Sequence, residues 1–243
     1  MQKLYQKHEL WFALGWIAFY VVAVSFADEL SRAIGIEKIV TLPLLLAMCA
    51  VLLLWMKRND LFQVFGLCKG SVPPSRLLWY LPLAALISSN LWFGLRWNLP
   101  MHETLLYIAS MICVGFVEEV IFRGFLFKAM CRNNVKSAVV VSSITFGMGH
   151  IVNLLSGAEL AATLIQIVYA VAGGFLFTVL FYRGKSLWPC IFAHSAINSL
   201  SVFSNDIGLT LGKQLASGLF LTAVSIAFGM YILTKRQDGT AQR

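Results

Sequence analysis

The feature that most constrains this chain is a succession of apolar runs, each close to the length of a membrane-crossing helix. About 20 apolar residues carry a helix across a ~30 Å hydrocarbon core. Eight stretches fit that description: Leu10–Ala27, Ile39–Met56, Leu77–Leu95, Thr104–Phe127, Ser137–Leu155, Leu160–Tyr182, Ser186–Phe203 and Leu215–Thr234. The second and seventh are the shortest, and Pro82 interrupts the third. None alternates with period two, so a β-barrel is not expected. Charged residues make up only 12% of the chain, against about 25% in soluble domains. Too few charges are present to coat a water-soluble surface. The predicted fold class is therefore all-α: a polytopic membrane protein of about eight transmembrane helices around a polar intramembrane cavity.

The formal charge of +8 does not indicate a nucleic-acid partner, because the basic residues sit in short loops between apolar runs. With the N-terminus inside, the inner segments hold fourteen of them: Lys3, Lys7, Lys57, Arg58, Lys69, Arg76, Lys128, Arg132, Lys136, Arg183, Lys185, Lys235, Arg236 and Arg243. The outer loops hold four, Arg32, Lys38, Arg96 and Lys213, and Arg123 lies within a span. That asymmetry predicts a multi-pass cell-membrane protein with both termini cytoplasmic. The basic loops also suit contact with anionic lipid, making the bilayer itself a partner. The first run follows Lys3 and Lys7 and ends in Asp28-Glu29 rather than in a small-residue cleavage site, so it reads as a retained span. The five cysteines are odd in number and include no CxxC pair. They read as small apolar residues, not as a disulfide framework or zinc site. The loop from Lys57 to Arg76, with Pro73-Pro74, reads as a connector, and the tail after Lys235 is short and polar.

Ionisable groups within a bilayer cost at least ~2.5–3.5 kcal/mol each on insertion scales, so each one needs a reason. Well inside the spans lie Glu118, Glu119, Arg123, His150, His194 and Asn198, on three helices of the second half. Glu119 and Arg123 are four apart and share a helix face, as do His194 and Asn198. Glu118 is turned by about 100° from Glu119, so one carboxylate can hold Arg123 while the other faces a different neighbour. At ~1.5 Å per residue, Glu118 lies ~15 Å from the edge marked by Lys128, His150 ~21 Å from Lys136, and His194 and Asn198 ~14 Å and ~20 Å from Lys185. Three helices thus bring polar groups to one depth.

A glutamate beside a histidine in a poorly solvated pocket can deprotonate water. A second histidine with an asparagine amide can stabilise an oxyanion. Together they suit amide hydrolysis without a covalent intermediate. Ser195 adjoins His194 but diverges from it by about 100° on the helix, and Cys113 suits packing better than catalysis. Other readings of the cluster are structural packing, proton-coupled transport, or a catalytic zinc held by His150, His194 and a glutamate. No HExxH supports the zinc reading, and a ligating carboxylate is less available as a base. Metal-free chemistry is favoured, with zinc as the alternative.

Glu118-Glu119-Val-Ile-Phe-Arg123 matches EExxxR, Phe146-Gly-Met-Gly-His150 matches FxxxH, and His194-Ser-Ala-Ile-Asn198 matches HxxxN. In this order, across roughly Leu105 to Phe203, the chain resembles the CPBP family of CAAX proteases and bacteriocin-processing enzymes, also called the Abi family. The resemblance implies an eight-helix intramembrane endopeptidase opening toward the cytoplasm, near Lys128–Lys136 and Arg183–Lys185. It divides the chain into residues 1–103 (three helices), 104–203 (the protease-like core) and 204–243 (the last helix and tail). Carried over, Glu118 with His150 would activate water, and His194 with Asn198 would hold the oxyanion. Glu119 and Arg123 would support the pocket, with Phe146 packed beside it. The partner would be a membrane-associated peptide or protein substrate. Some family members act as non-proteolytic regulators or immunity proteins, which stands as the alternative.

Overall fold

Apolar runs that cannot hydrogen-bond their backbone to lipid must satisfy it internally, and the chain does so as helix. The computed structural model describes residues 1–70 and 74–235; Pro73, Arg236, Arg243 and the tail after Lys235 lie outside them. A short helix α1 (Gln2–Lys7) precedes α2 (Glu9–Ile34) and α3 (Thr41–Arg58). A 3-10 stretch, Pro74–Tyr80, leads into α4 (Leu81–Ser88). Helix α5 (Met101–Glu119) continues as a π-helix, Val120–Phe127, and ends in α6 (Lys128–Cys131). Helix α7 (Val135–Met148) tightens into a 3-10 segment, Gly149–Ser156. Then follow α8 (Leu160–Gly184), α9 (Trp188–Leu200) and α10 (Leu211–Thr234). No strand occurs among the described residues, only an isolated bridge between Leu95 and Ser204. The fold is an all-α polytopic membrane protein.

Among the described residues six helical stretches are long and apolar enough to cross a membrane: Glu9–Ile34, Thr41–Arg58, Met101–Cys131, Val135–Ser156, Leu160–Gly184 and Leu211–Thr234. The other two expected spans fall on shorter helices. The third is the apolar helix Leu77–Leu91, where Pro82 in the first turn of α4 follows the 3-10 stretch. The seventh is α9, with 13 residues and Pro189 at its start. At ~1.5 Å per residue α9 reaches ~20 Å, less than the full apolar thickness.

Successive elements nevertheless alternate in direction, and contacts between their ends define two faces. At one, Arg132 pairs with Glu9, Arg183 donates to the Leu233 carbonyl, and the Leu187 amide donates to the Gly66 carbonyl. At the other, the Glu37 amide donates to Glu103, and the Arg96 amide donates to the Phe203 carbonyl. The first face collects Lys3, Lys7, Lys57, Lys128, Lys136, Lys185 and Lys235; the second holds Arg32, Lys38, Arg96 and Lys213. Burial, and after it the nearby charges of Lys128 and Arg183, pushes the Lys185 ammonium at the first face below the usual lysine range.

Close helix approach positions the core. A Cβ on Gly115 would lie 2.7 Å from the Ser195 backbone nitrogen, so only glycine lets α5 and α9 meet there. Gly147 plays the same part between α7 and α8, where a Cβ would lie 2.7 Å from the Val171 nitrogen. Small residues at helix crossings are the usual solution where lipid supplies no hydrophobic drive.

Candidate active site

Glu118 and Glu119 are the last two residues of α5, and the backbone widens into the π-helix directly after them. π segments inside α-helices are rare and frequent at functional sites. Arg123 sits on this segment, wholly buried. Its Nη1 donates to Glu119 Oε1 at 2.9 Å and its Nη2 to the Gly174 carbonyl at 3.3 Å. The guanidinium lies 4.0 Å from the centre of the Phe146 ring and 5.6 Å from that of Phe177, adding cation–π attraction to the ion pair. Glu119 Oε2 and Arg123 Nε have no hydrogen-bond partner among the described residues.

His194 is fixed by this pair. Its Nδ1 lies 2.9 Å from Glu119 Oε1, and its Nε2 lies 3.6 Å from Glu118 Oε2. Phe146 and Phe177 pack on the ring at centroid distances of 5.4 and 6.1 Å. Glu118 Oε1 accepts a hydrogen bond from the Tyr20 hydroxyl at 2.5 Å. His150 lies in the 3-10 segment beyond α7, edge-on to Phe146 at 6.0 Å. Asn198 is one turn beyond His194 on α9. Among the described residues, neither the His150 ring nor the Asn198 amide makes a hydrogen bond; both face a cavity.

That cavity has a volume of about 670 Å³ and is lined by Glu118, His150, His194 and Asn198 together, with Tyr20, Phe122, Phe146 and Phe177. The four polar groups read from the sequence therefore share one void. Glu119 and Arg123 do not line it; they form a buried support behind its wall. The cavity does not open where the resemblance placed its mouth. None of residues 128–136 or 183–185 lines it, whereas Asp28, Glu29, Arg32, Lys38 and Ser156 at the opposite face do. The physical reason is packing. At the basic face Tyr5, Phe12, Trp55, Phe65 and Phe125 interlock with ring centroids 4.8–5.9 Å apart; a separate pocket of about 180 Å³ lies beside Tyr5, Phe65 and Phe125, and it shares no lining residue with the cavity.

Tyr20 was not among the residues expected at the site. Its only signal is a hydroxyl in the middle of an apolar run, and nothing local links α2 to a carboxylate 98 residues away. Ser195 donates to the Ile112 carbonyl at 3.2 Å and so holds α9 against α5. Cys113 is buried, its carbonyl facing Cys49 Sγ at 3.9 Å.

Among the described residues no three His, Cys, Asp or Glu side chains are grouped to hold a metal ion. Glu119 Oε1 already receives both Arg123 and His194 Nδ1, and Glu118 Oε1 is held by Tyr20.

Comparison with known proteins converges on the same helices. Residues 100–200 match the family described as Type II CAAX prenyl endopeptidase Rce1-like. Over 99 residues the chain is 34% identical to the Bacillus subtilis (strain 168) protein named "Putative membrane peptidase YdiL", a match that covers 40% of this chain and 36% of that relative. The chain thus spans about a third of the length of the curated relative it matches. No solved structure matches. The matched segment contains the π-helix, the 3-10 segment with His150, and α9. Residues 100–200, less than half of the chain, are thus similar to an Rce1-like domain.

Proposed function

We propose that this protein is an intramembrane endopeptidase that hydrolyses a peptide bond of a membrane-associated peptide or protein by activated water, without a metal. The observation that carries this reading is the convergence of Glu118, His150, His194 and Asn198 on one cavity, backed by the Glu119–Arg123 pair. Water held between Glu118 and His150 loses a proton to Glu118 as its oxygen attacks the scissile carbonyl carbon. The carbonyl oxygen becomes an oxyanion. Asn198 donates its amide N–H to it, and His194 in its protonated form donates Nε2–H, because Nδ1–H is committed to Glu119. Glu118 then passes its proton to the amide nitrogen, and the C–N bond breaks. Tyr20 is a positioning residue: its hydroxyl occupies Glu118 Oε1 and leaves Oε2 as the proton acceptor. Positive charge at the face of α1 supports an orientation with both termini cytoplasmic.

The test is hydrolysis of a quenched fluorescent peptide library by the purified chain in proteoliposomes. The wild type should cleave. Glu118→Gln, His150→Ala and His194→Ala should lose ~10²–10⁴-fold, the contribution of a general acid or base, and Asn198→Ala ~10²–10³-fold, that of one oxyanion donor. A wild-type protein that cleaves no peptide but moves protons across the vesicle membrane would replace this reading with transport. One that does neither would favour a non-proteolytic regulator.

A further inference from the structure

Where the substrate comes from is written in the way the cavity is closed and opened. At the basic face, Phe65, Phe125 and Phe127 are each at most 2% exposed, and none of them lines the cavity. At the other face the cavity wall continues through Asp28, Lys38, Ser156 and Ser201. Between these levels the lining has two apolar edges. One is Val21, Val24 and Phe26 on α2; the other is Val152 and Leu155 on the 3-10 segment after His150. Phe26 and Leu155 are 65% and 80% exposed, so the rim presents apolar side chains outward, where lipid tails would meet them. Helix α2 packs on α3 and on the π-helix, which leaves its later half as one side of this rim. Just inside, Asn153 donates to Gln166 at 2.9 Å, an amide pair able to exchange that bond for an extended backbone.

Resting on the hydrolytic reading of the site, the geometry points to a substrate that enters from the extracytoplasmic leaflet: an extended apolar peptide segment passing between α2 and the 3-10 segment down to Glu118. The side is fixed by charge. The basic face carries most of the lysines and arginines and belongs in the cytoplasm, while the open face sets Asp28, Glu29, Glu37 and Glu103 against Arg32, Lys38, Arg96 and Lys213. Segments of exported peptides or of membrane proteins lying in the outer leaflet fit this route; tails presented in the cytoplasm do not.

The full chain in right-side-out and inverted membrane vesicles tests this, with a membrane-impermeant biotin maleimide as probe and labelled cysteines located by mass spectrometry. Ser156→Cys and Ser201→Cys should label in right-side-out vesicles, and Lys136→Cys, on the exposed basic face, only in inverted ones. Added peptide library should be hydrolysed by right-side-out but not by inverted vesicles. Hydrolysis should be lost once the maleimide caps the thiol introduced at either mouth position. Labelling of both mouth variants solely in inverted vesicles would overturn the route, as would labelling from outside that leaves hydrolysis unchanged. If the wild type hydrolyses nothing in either orientation, the hydrolytic reading fails, while the labelling still reports which side the cavity faces.

Discussion

At the face where α1 and the end of α10 lie, rings from α1, α2, α3, the loop after it and the π-helix interlock, and basic side chains crowd the surface. At the opposite face the helices stand apart around a void of about 670 Å³ whose wall is rich in hydroxyl, amide and carboxylate groups. Helix α5 runs through both regions. Its first turns line the cavity at Tyr107 and Met111, and its continuation ends among the aromatic rings at Phe125. Glu118 and Glu119 sit at the junction. The difference shows how a bilayer protein can hold costly polar groups: one end supplies rigid packing, and the other supplies the space in which those groups meet water and substrate. The Glu119–Arg123–His194 cluster is the hinge between the two, buried like the first and polar like the second.

That division is broken most severely at Arg123. Arg123→Met leaves the wholly buried Glu119 carboxylate with only His194 Nδ1 against it, and removing one partner of a buried pair costs ~3–5 kcal/mol. Thermal unfolding in detergent should show a large loss of stability together with loss of hydrolysis, because the carboxylate that holds His194 loses its own partner. A variant that melts like the wild type would mean that the cluster is not the structural junction described.

A sharper separation comes from Phe65, which is 1% exposed and touches Tyr5, Trp55 and Phe125. Phe65→Ala should cost ~3–5 kcal/mol through the cavity it leaves, yet keep the rate per folded molecule. If hydrolysis per folded molecule falls in proportion to stability, the two ends are not independent.

A smaller effect is expected at Tyr20. Tyr20→Phe removes one hydrogen bond to a carboxylate, an interaction of the ~1.5–3 kcal/mol class. Hydrolysis should fall roughly ten- to a hundredfold with little change in melting. A merely structural role would change melting and leave the pH–rate profile alone. A positioning role shifts the acidic limb of that profile, which reports the proton acceptor.

How far the sequence carries depends on the region. Apolar run length and loop charge are local properties, so the helical class, the alternation of direction and the two faces follow from them. The depth argument for Glu118, His150, His194 and Asn198 also needed only helical rise, and the structure places all four in one cavity. The cavity's mouth was not legible, because it depends on where aromatic rings from α1, α2 and the loop after α3 meet, a tertiary outcome. The π-helix after Glu119 and the 3-10 segment at His150 were equally hidden: Val120–Phe127 and Gly149–Ser156 carry no Pro or run of breakers to mark them. The short lengths of α4 and α9 had partial signals in Pro82 and Pro189. Tyr20 had none beyond its hydroxyl, since its partner lies on a helix far away in sequence.

The smallest expected effect is that of metal removal, and it sharpens the comparison from the polar side. Zinc held by two histidines and a carboxylate needs free imidazole nitrogens and a free carboxylate oxygen converging at ~2.0–2.2 Å. Here His194 Nδ1 is committed to Glu119, which Arg123 also holds, and Tyr20 holds one oxygen of Glu118. What remains is His194 Nε2 facing Glu118 Oε2 at 3.6 Å, an ion-pair distance longer than a hydrogen bond. Dialysis against EDTA and 1,10-phenanthroline should therefore leave peptide hydrolysis unchanged, and elemental analysis of active protein should find zinc far below one atom per chain. Loss of activity on chelation that zinc restores would mean that His194 exchanges its carboxylate partners for a metal. Hydrolysis would stand, but Glu118 would no longer be the sole activator of water, and the buried cluster would have to rearrange to release its ligands.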